Sequence, residues 1–279
     1  MEKKEINVIE YIWRNCYQIV GWDKKINKDK FPTIFGSGFF IEYKNNVVFV
    51  TADHVLHPND YDNSENVERS QNEYSYAIVN NINKENSLET MLTPIGGFYN
   101  CDEFNFKKYI VGEEDLDVAS IPKFMDLSIS IVDPKEFKQP FLTHKLIVDE
   151  EIVVNEGLEK LCIKGDAIVL PMKDNLYVVA GVLQNELKGV RWWRANVIYC
   201  DLKYEGEESG LYKFCYNEII DKSKWEGLSG SPFFDENGGL VGMIIRVFHG
   251  GNLIWVLPMH EILKKIKVFI DVDNLQNQI

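Results

Sequence analysis

At 279 residues, 45% hydrophobic and 13% aromatic, the chain carries enough apolar material for one sizeable core or two small ones, which excludes disordered, collagen-like and coiled-coil classes. A net charge of −13 repels phosphate backbones and anionic headgroups, so nucleic acid and membrane surfaces are excluded as main partners. The amino-terminal stretch opens with mixed charge and never becomes a continuous apolar run, and no segment approaches the roughly 18 apolar residues of a membrane helix; a cytoplasmic protein is expected. Five scattered cysteines with no CxxC pair read as free thiols in a reducing compartment.

In chain order, short β-rich runs are expected at 39–43, 47–51, 74–79, 127–132, 167–170, 177–182, 196–201, 240–247 and 253–257. The first two flank Lys44-Asn45-Asn46, residues that tolerate a left-handed turn, and so predict a hairpin. The polar stretch 58–70 reads as a solvated loop, and 145–157 as the crossover between two halves. One helix is expected after Pro258, with Ile262, Leu263 and Ile266 on one face, followed by a loose tail at 271–279. No internal repeat is visible.

Two segments stand apart chemically. Phe35-Gly36-Ser37-Gly38-Phe39-Phe40-Ile41 leads through the hairpin to Val48-Phe49-Val50-Thr51-Ala52-Asp53-His54, a strand ending in a histidine. Downstream, Trp225-Glu226-Gly227-Leu228-Ser229-Gly230-Ser231-Pro232 frames a serine with glycines before a second apolar run. A serine hydroxyl becomes a useful nucleophile only when an oriented imidazole takes its proton, and its oxyanion needs converging backbone N–H groups, which glycines make reachable. Taken alone, the serine motif also fits an ordinary hairpin loop.

Together the two segments resemble the chymotrypsin-like (trypsin-fold) serine peptidases, where the histidine lies in Thr-Ala-x-His and the nucleophile in Gly-x-Ser-Gly-(Gly/Ser)-Pro. His54 precedes Ser229 by 175 residues, an order and span that fit this family and neither subtilisins nor α/β-hydrolases. The likeness covers about residues 30–60 and 220–267, including Gly239-Leu240-Val241-Gly242-Met243-Ile244 and the strand that leads into the last helix. It implies an all-β fold of two packed antiparallel six-stranded barrels with a C-terminal α-helix. Residues 1–145 would hold His54 and the triad aspartate, and 146–279 would hold Ser229.

The same resemblance implies a serine endopeptidase acting on protein or peptide substrates without a cofactor or metal. His54 would be general base and acid, Ser229 the nucleophile, the amides of Gly227 and Ser229 the oxyanion donors, and Ile245, Arg246 and Val247 the strand that pairs with substrate. For the third triad member the family pattern, an aspartate opening an apolar strand, fits both Asp117-Val118-Ala119 and Asp126-Leu127-Ser128-Ile129. Asp117 has the small alanine two residues on and is placed first. Asp126 opens the cleaner alternation, and Asp115 is a third choice.

Departures from the family pattern matter too. Leu228 replaces the residue that a cleaved amino terminus would engage, so activation by such cleavage is not expected. Asp53 stands where alanine is usual, and would either support the His54 imidazolium or point to solvent. Ser223 occupies the position at which trypsins carry an aspartate, which removes a preference for basic side chains. Lys222, Lys224, Arg246 and His249 read mainly as exposed charge. His54 and His57 have metal-ligand spacing but lack further ligands nearby, and Arg191-Trp192-Trp193-Arg194 reads as strand aromatics flanked by solvated arginines. Two other functions fit the same fold: a non-catalytic binder of extended peptides, and a latent peptidase opened by an activating protein partner that the sequence does not name.

Overall fold

A computed structural model of the chain describes residues 7–23, 32–58, 74–84, 87–102, 124–183, 186–188, 191–193 and 195–276. The first half begins with helix α1 (Val8–Arg14), capped by Asn7, whose side chain accepts from the Ile9 amide. Strands β1 (Tyr17–Asp23), β2 (Ile34–Tyr43) and β3 (Asn46–Thr51) follow, then a single helical turn α2 (Asp53–Leu56). Next come β4 (Tyr74–Lys84), β5 (Ser87–Ile95), β6 (Phe98–Asp102) and β7 (Phe124–Val132). The expected hairpin is present, with Glu42 opposite Val47 and both Lys44 and Asn45 at positive φ.

These strands do not close. They run β5-β4-β1-β2-β3-β7-β6, and no ladder joins β5 to β6 among the described residues. The expectation of two six-stranded barrels is therefore corrected to one barrel beside an open sheet. The opening lies at the edges: β5 pairs only with β4, in a hairpin of nine pairs, and β6 only with β7 among the described residues. An eighth strand comes from further along the chain and pairs parallel, so the sheet is not wholly antiparallel either.

Between the halves lie β8 (Leu146–Val148), β9 (Glu151–Val154) and β10 (Ile163–Lys164), the last being the parallel strand, paired with β2. The expected crossover at 145–157 is thus largely a hairpin, its turn made by Asp149 and Glu150 at positive φ. Stretch 167–170, expected as a strand, makes one isolated bridge from Ile168 to Leu240. Of the expected loop at 58–70, residues 59–70 lie outside the described residues.

The second half holds β11 (Leu176–Val182), β12 (Glu186–Lys188), β13 (Arg191–Trp193), β14 (Asn196–Glu208), β15 (Leu211–Cys215), helix α3 (Lys222–Trp225), β16 (Pro232–Asp235), β17 (Leu240–Val247), β18 (Leu253–Pro258) and helix α4 (Met259–Gln276). Six of these strands close a barrel in the order β11-β14-β15-β18-β17-β16, while β12 and β13 form a separate hairpin. Closure removes edges and needs strong local bending. Irregular registers at Tyr204/Gly206 in β14 and Ile244/Arg246 in β17 supply that bending. Helix α4 continues to Gln276, so most of the expected tail is helical; its apolar residues Ile262, Ile266 and Ile270 recur every fourth position and are buried.

A shared apolar core spans both halves, with Phe39, Phe49 and Ile129 of the open sheet in one cluster with Phe234, Leu240 and Met243 of the barrel. Within it Tyr17, Phe40 and Phe141 meet edge to face at centroid distances of 4.8 and 5.5 Å, contacts that each contribute about 0.5–1.5 kcal/mol beyond area burial. A second cluster around Tyr177, Phe214 and Phe233 fills the barrel. Helix α4 reaches back across the molecule, its Phe269 ring lying 5.0 Å from that of Tyr99 on β6. All five cysteines are free. No helix among the described residues is long and apolar enough to cross a membrane.

Candidate active site

His54 is the second residue of α2, the turn that begins where β3 ends. A four-residue helix leaves its first amides without intrahelical partners. One of them, His54 N–H, donates to Asp126 Oδ1 at 2.9 Å, while Asp126 Oδ2 lies 2.7 Å from His54 Nδ1. The carboxylate therefore fixes both the backbone and the ring of the same histidine. Asp126 can do this because β3 and β7 are antiparallel with Thr51 opposite Ser128; continuing that register brings the residues after Thr51 to Asp126. Asp117, placed first on sequence grounds, lies outside the described residues, as does Asp115.

The electrostatics of His54 balance opposing effects. Burial disfavours its charged form, but the adjacent Asp126 charge and hydrogen bond outweigh it, Asp53 adds to them and Arg246 opposes, so the net pKa shift is upward from the ordinary 6.5. The imidazole keeps access to the cleft, with 30% of its side chain exposed against 16% for Asp126.

Beside this pair sits a second cluster of similar residue types. Asp53 Oδ1 accepts from the Ser128 hydroxyl at 2.5 Å and lies 3.2 Å from His57 Nδ1. Asp53 does not point to solvent: it and Ser128 are fully enclosed, and His57 nearly so. A substrate cannot reach such a group, and its serine bonds to the carboxylate instead of the imidazole. It acts as a brace that ties α2 to β7, the strand carrying Asp126, and it gives His57 a partner other than a metal. Among the described residues no group of three or more His, Cys, Asp or Glu side chains is placed to hold a metal ion.

Ser229 lies on the loop between α3 and β16, held against the other half of the molecule. Ser37 of β2 donates its amide to the Ser229 carbonyl at 2.8 Å and its hydroxyl to the Gly227 carbonyl at 2.8 Å. The sequence reading did not single out Ser37 as a support of this loop; its signal is the flanking pair Gly36 and Gly38, on which Val55 and Phe49 pack too closely for a side chain. A Cβ on Gly230 would come 2.7 Å from Thr51 Oγ1, three residues before His54, so the serine loop and the histidine strand are in direct contact. Gly227, at φ 102°, takes a conformation that a side chain would strain. Among the described residues neither the Gly227 nor the Ser229 amide donates to a backbone acceptor. Leu228 is fully buried, its methyl against Gly181.

Ile245, Arg246 and Val247 lie at the far end of β17, beyond its pairing with β16, whose last pair is Pro232 with Met243. Lys222, Lys224, Arg246 and His249 are exposed, as expected. Ser223 helps to cap α3: its amide and hydroxyl both donate to Asp221, whose carboxyl is held below its ordinary range by these bonds. Arg191–Trp193 forms β13 paired with β12.

The clustered histidine, aspartate and serine residues are of the kinds a hydrolase site uses. No family model matches the chain. No curated protein matches it either. Among solved structures it is similar to one described as the crystal structure of tobacco vein mottling virus protease, at 10% identity and a TM-score of 0.42 over 92% of this chain and 82% of that one.

Proposed function

We propose that the protein is a serine endopeptidase in which Ser229, His54 and Asp126 form the catalytic triad. The observation that carries this reading is the two-point hold of Asp126 on His54 beside a glycine-framed serine loop. A carboxylate on Nδ1 favours the tautomer with its proton there, leaving Nε2 to accept one. As Ser229 Oγ bonds to the scissile carbonyl carbon, its proton passes to Nε2, and the Asp126 charge supports the imidazolium that results. The carbonyl oxygen takes the negative charge, for which the Gly227 and Ser229 amides are the available donors; such donors contribute about 2.7–4 kcal/mol each in related sites. Nε2 then returns the proton to the leaving amine, and water, activated by the same nitrogen, releases the acyl group. Peptide substrates would add as a strand along Ile245, Arg246 and Val247.

The test is labelling of purified protein by a fluorophosphonate probe, which reacts only with an activated serine. Wild type and Asp117→Asn should label, whereas Ser229→Ala and His54→Ala should not and Asp126→Asn should label far more slowly. A wild-type protein inert to the probe, or one whose labelling survives Ser229→Ala, would overturn the assignment.

A further inference from the structure

A cavity of about 670 Å³ opens beside the site; it is lined by neither His54 nor Ser229 but shares Asp126, Ile245 and Arg246 with the proposed triad and substrate strand. Its lining takes Met125 and Asp126 from β7, and Ile245, Trp255 and Leu257 from β17 and β18. The turn from β14 to β15 and the first turn of α4 complete the lining. Its volume suits a ligand of a few side chains, and Met125, Leu211, Ile245, Trp255 and Leu257 make part of its lining apolar.

The charge around it is one-sided. Asp126, Glu207, Glu208 and Glu261 line the cavity together with Arg246 and with His260, whose Nε2 lies 3.2 Å from Glu261 Oε1. Glu208 and Glu261 are partly answered from outside by Lys213 at 3.1 Å and Lys264 at 2.5 Å. Glu207 has no ion pair among the described residues. At Trp255 the protein already presents a cation to the ring, Lys213 Nζ lying 5.8 Å from its centroid. Apolar side chains, an aromatic ring and a majority of carboxylates together complement a segment that alternates aliphatic and basic side chains.

We propose that this cavity binds a short basic and aliphatic segment of a partner protein, and that occupancy is felt at His54 through Asp126. Asp126 faces the cavity and holds His54 at the same time, so a cation brought into the cavity competes for the carboxylate that orients the imidazole. This deepens the peptidase reading by supplying a route for its regulation, although the binding itself does not require catalysis.

The test uses a capped Lys-Leu-Arg-Leu tetrapeptide, with capped Glu-Leu-Glu-Leu as control, titrated calorimetrically into full-length Ser229→Ala protein. The basic peptide should bind one to one and the acidic peptide should not. Glu207→Lys, at the exposed rim, should weaken binding at least tenfold, as should the pair Glu207→Gln and Glu261→Gln. On saturation the His54 ring resonance, assigned with His54→Gln, should shift. No binding, or binding indifferent to Glu207→Lys, would overturn the site; binding with an unmoved His54 resonance would overturn the link to Asp126. Every readout works in a protein that never reacts with the fluorophosphonate, so failure here and failure of the peptidase assignment are distinguishable.

Discussion

Gly230 and Ser37 meet across the two halves with no room for a methyl group: a Cβ on Gly230 would lie 2.0 Å from the Ser37 carbonyl oxygen. Because the obstacle is backbone, it cannot rotate aside, and Gly230 also sits at φ +87°. Gly230→Ala should therefore cost about 3 kcal/mol or more, the sum of overpacking and left-handed strain, and should abolish probe labelling. Gly250→Ala is the control. That glycine has φ +78° but open space around it, so its cost should stay near the 1–2 kcal/mol of backbone strain. Urea denaturation midpoints compare the two.

Asp126→Asn keeps the shape of the carboxylate but presents an amide to His54 Nδ1 and reverses the tautomer preference. Labelling or peptide hydrolysis should fall by about 10⁴-fold with the fold intact, as for the equivalent change in well-studied triads. Circular dichroism and rate constants measured on one preparation separate the two effects.

The choice between the two aspartates shows where the sequence stops being readable. Composition near each residue favours neither decisively, since Asp117 has its alanine and Asp126 its alternation. What brings Asp126 to His54 is the pairing of Thr51 with Ser128, a contact between positions 77 residues apart. Such register is set by burial and by the intervening hairpins, not by the local string. The same holds for the open sheet. The strands β3, β17 and β18 are legible because Val, Ile and Leu dominate them between clear turns. Of the β4–β5 hairpin only 74–79 is legible, because Asn80, Asn81 and Asn83 interrupt the apolar run that follows. Ser229 and His54 are legible because their immediate neighbours are unusual; Ser37 acts through its backbone amide and a hydroxyl that any serine carries.

The upward shift at His54 gives a pH dependence with a defined sign. The neutral ring is the base, so labelling should rise with pH through a midpoint above 6.5, and Asp126→Asn should move that midpoint down. For stability the direction is opposite. With the folded pKa above the unfolded value, the charged pair stabilises the fold fully below about 6.5, and that contribution disappears as pH rises through the folded value. The stability gap between wild type and His54→Gln should accordingly be larger at pH 5.5 than at pH 8.5.

Asp53→Ala should damage the site without touching the cleft. It removes the closer acceptor of the buried Ser128 hydroxyl, which keeps only Asn100 Oδ1 at 3.2 Å, and it removes the Asp53 carboxylate beside the enclosed His57 Nδ1. A loss of about 2–5 kcal/mol is expected. Asp53→Asn should recover part of that stability, because its amide oxygen can still accept from Ser128, and should restore labelling more than Asp53→Ala does.

Ser37 gives the nucleophile loop two of its hydrogen bonds from the opposite end of the chain. The reactive shape of that loop is thus not owned by the half that carries the serine. A C-terminal fragment produced alone would possess every atom of Ser229 and its neighbours but lack the template that shapes them. On the proposed function, proteolytic separation of the halves would then abolish probe labelling, and mixing two inert fragments that reassociate would restore it, so the molecule lends itself to use as a split reporter of proximity.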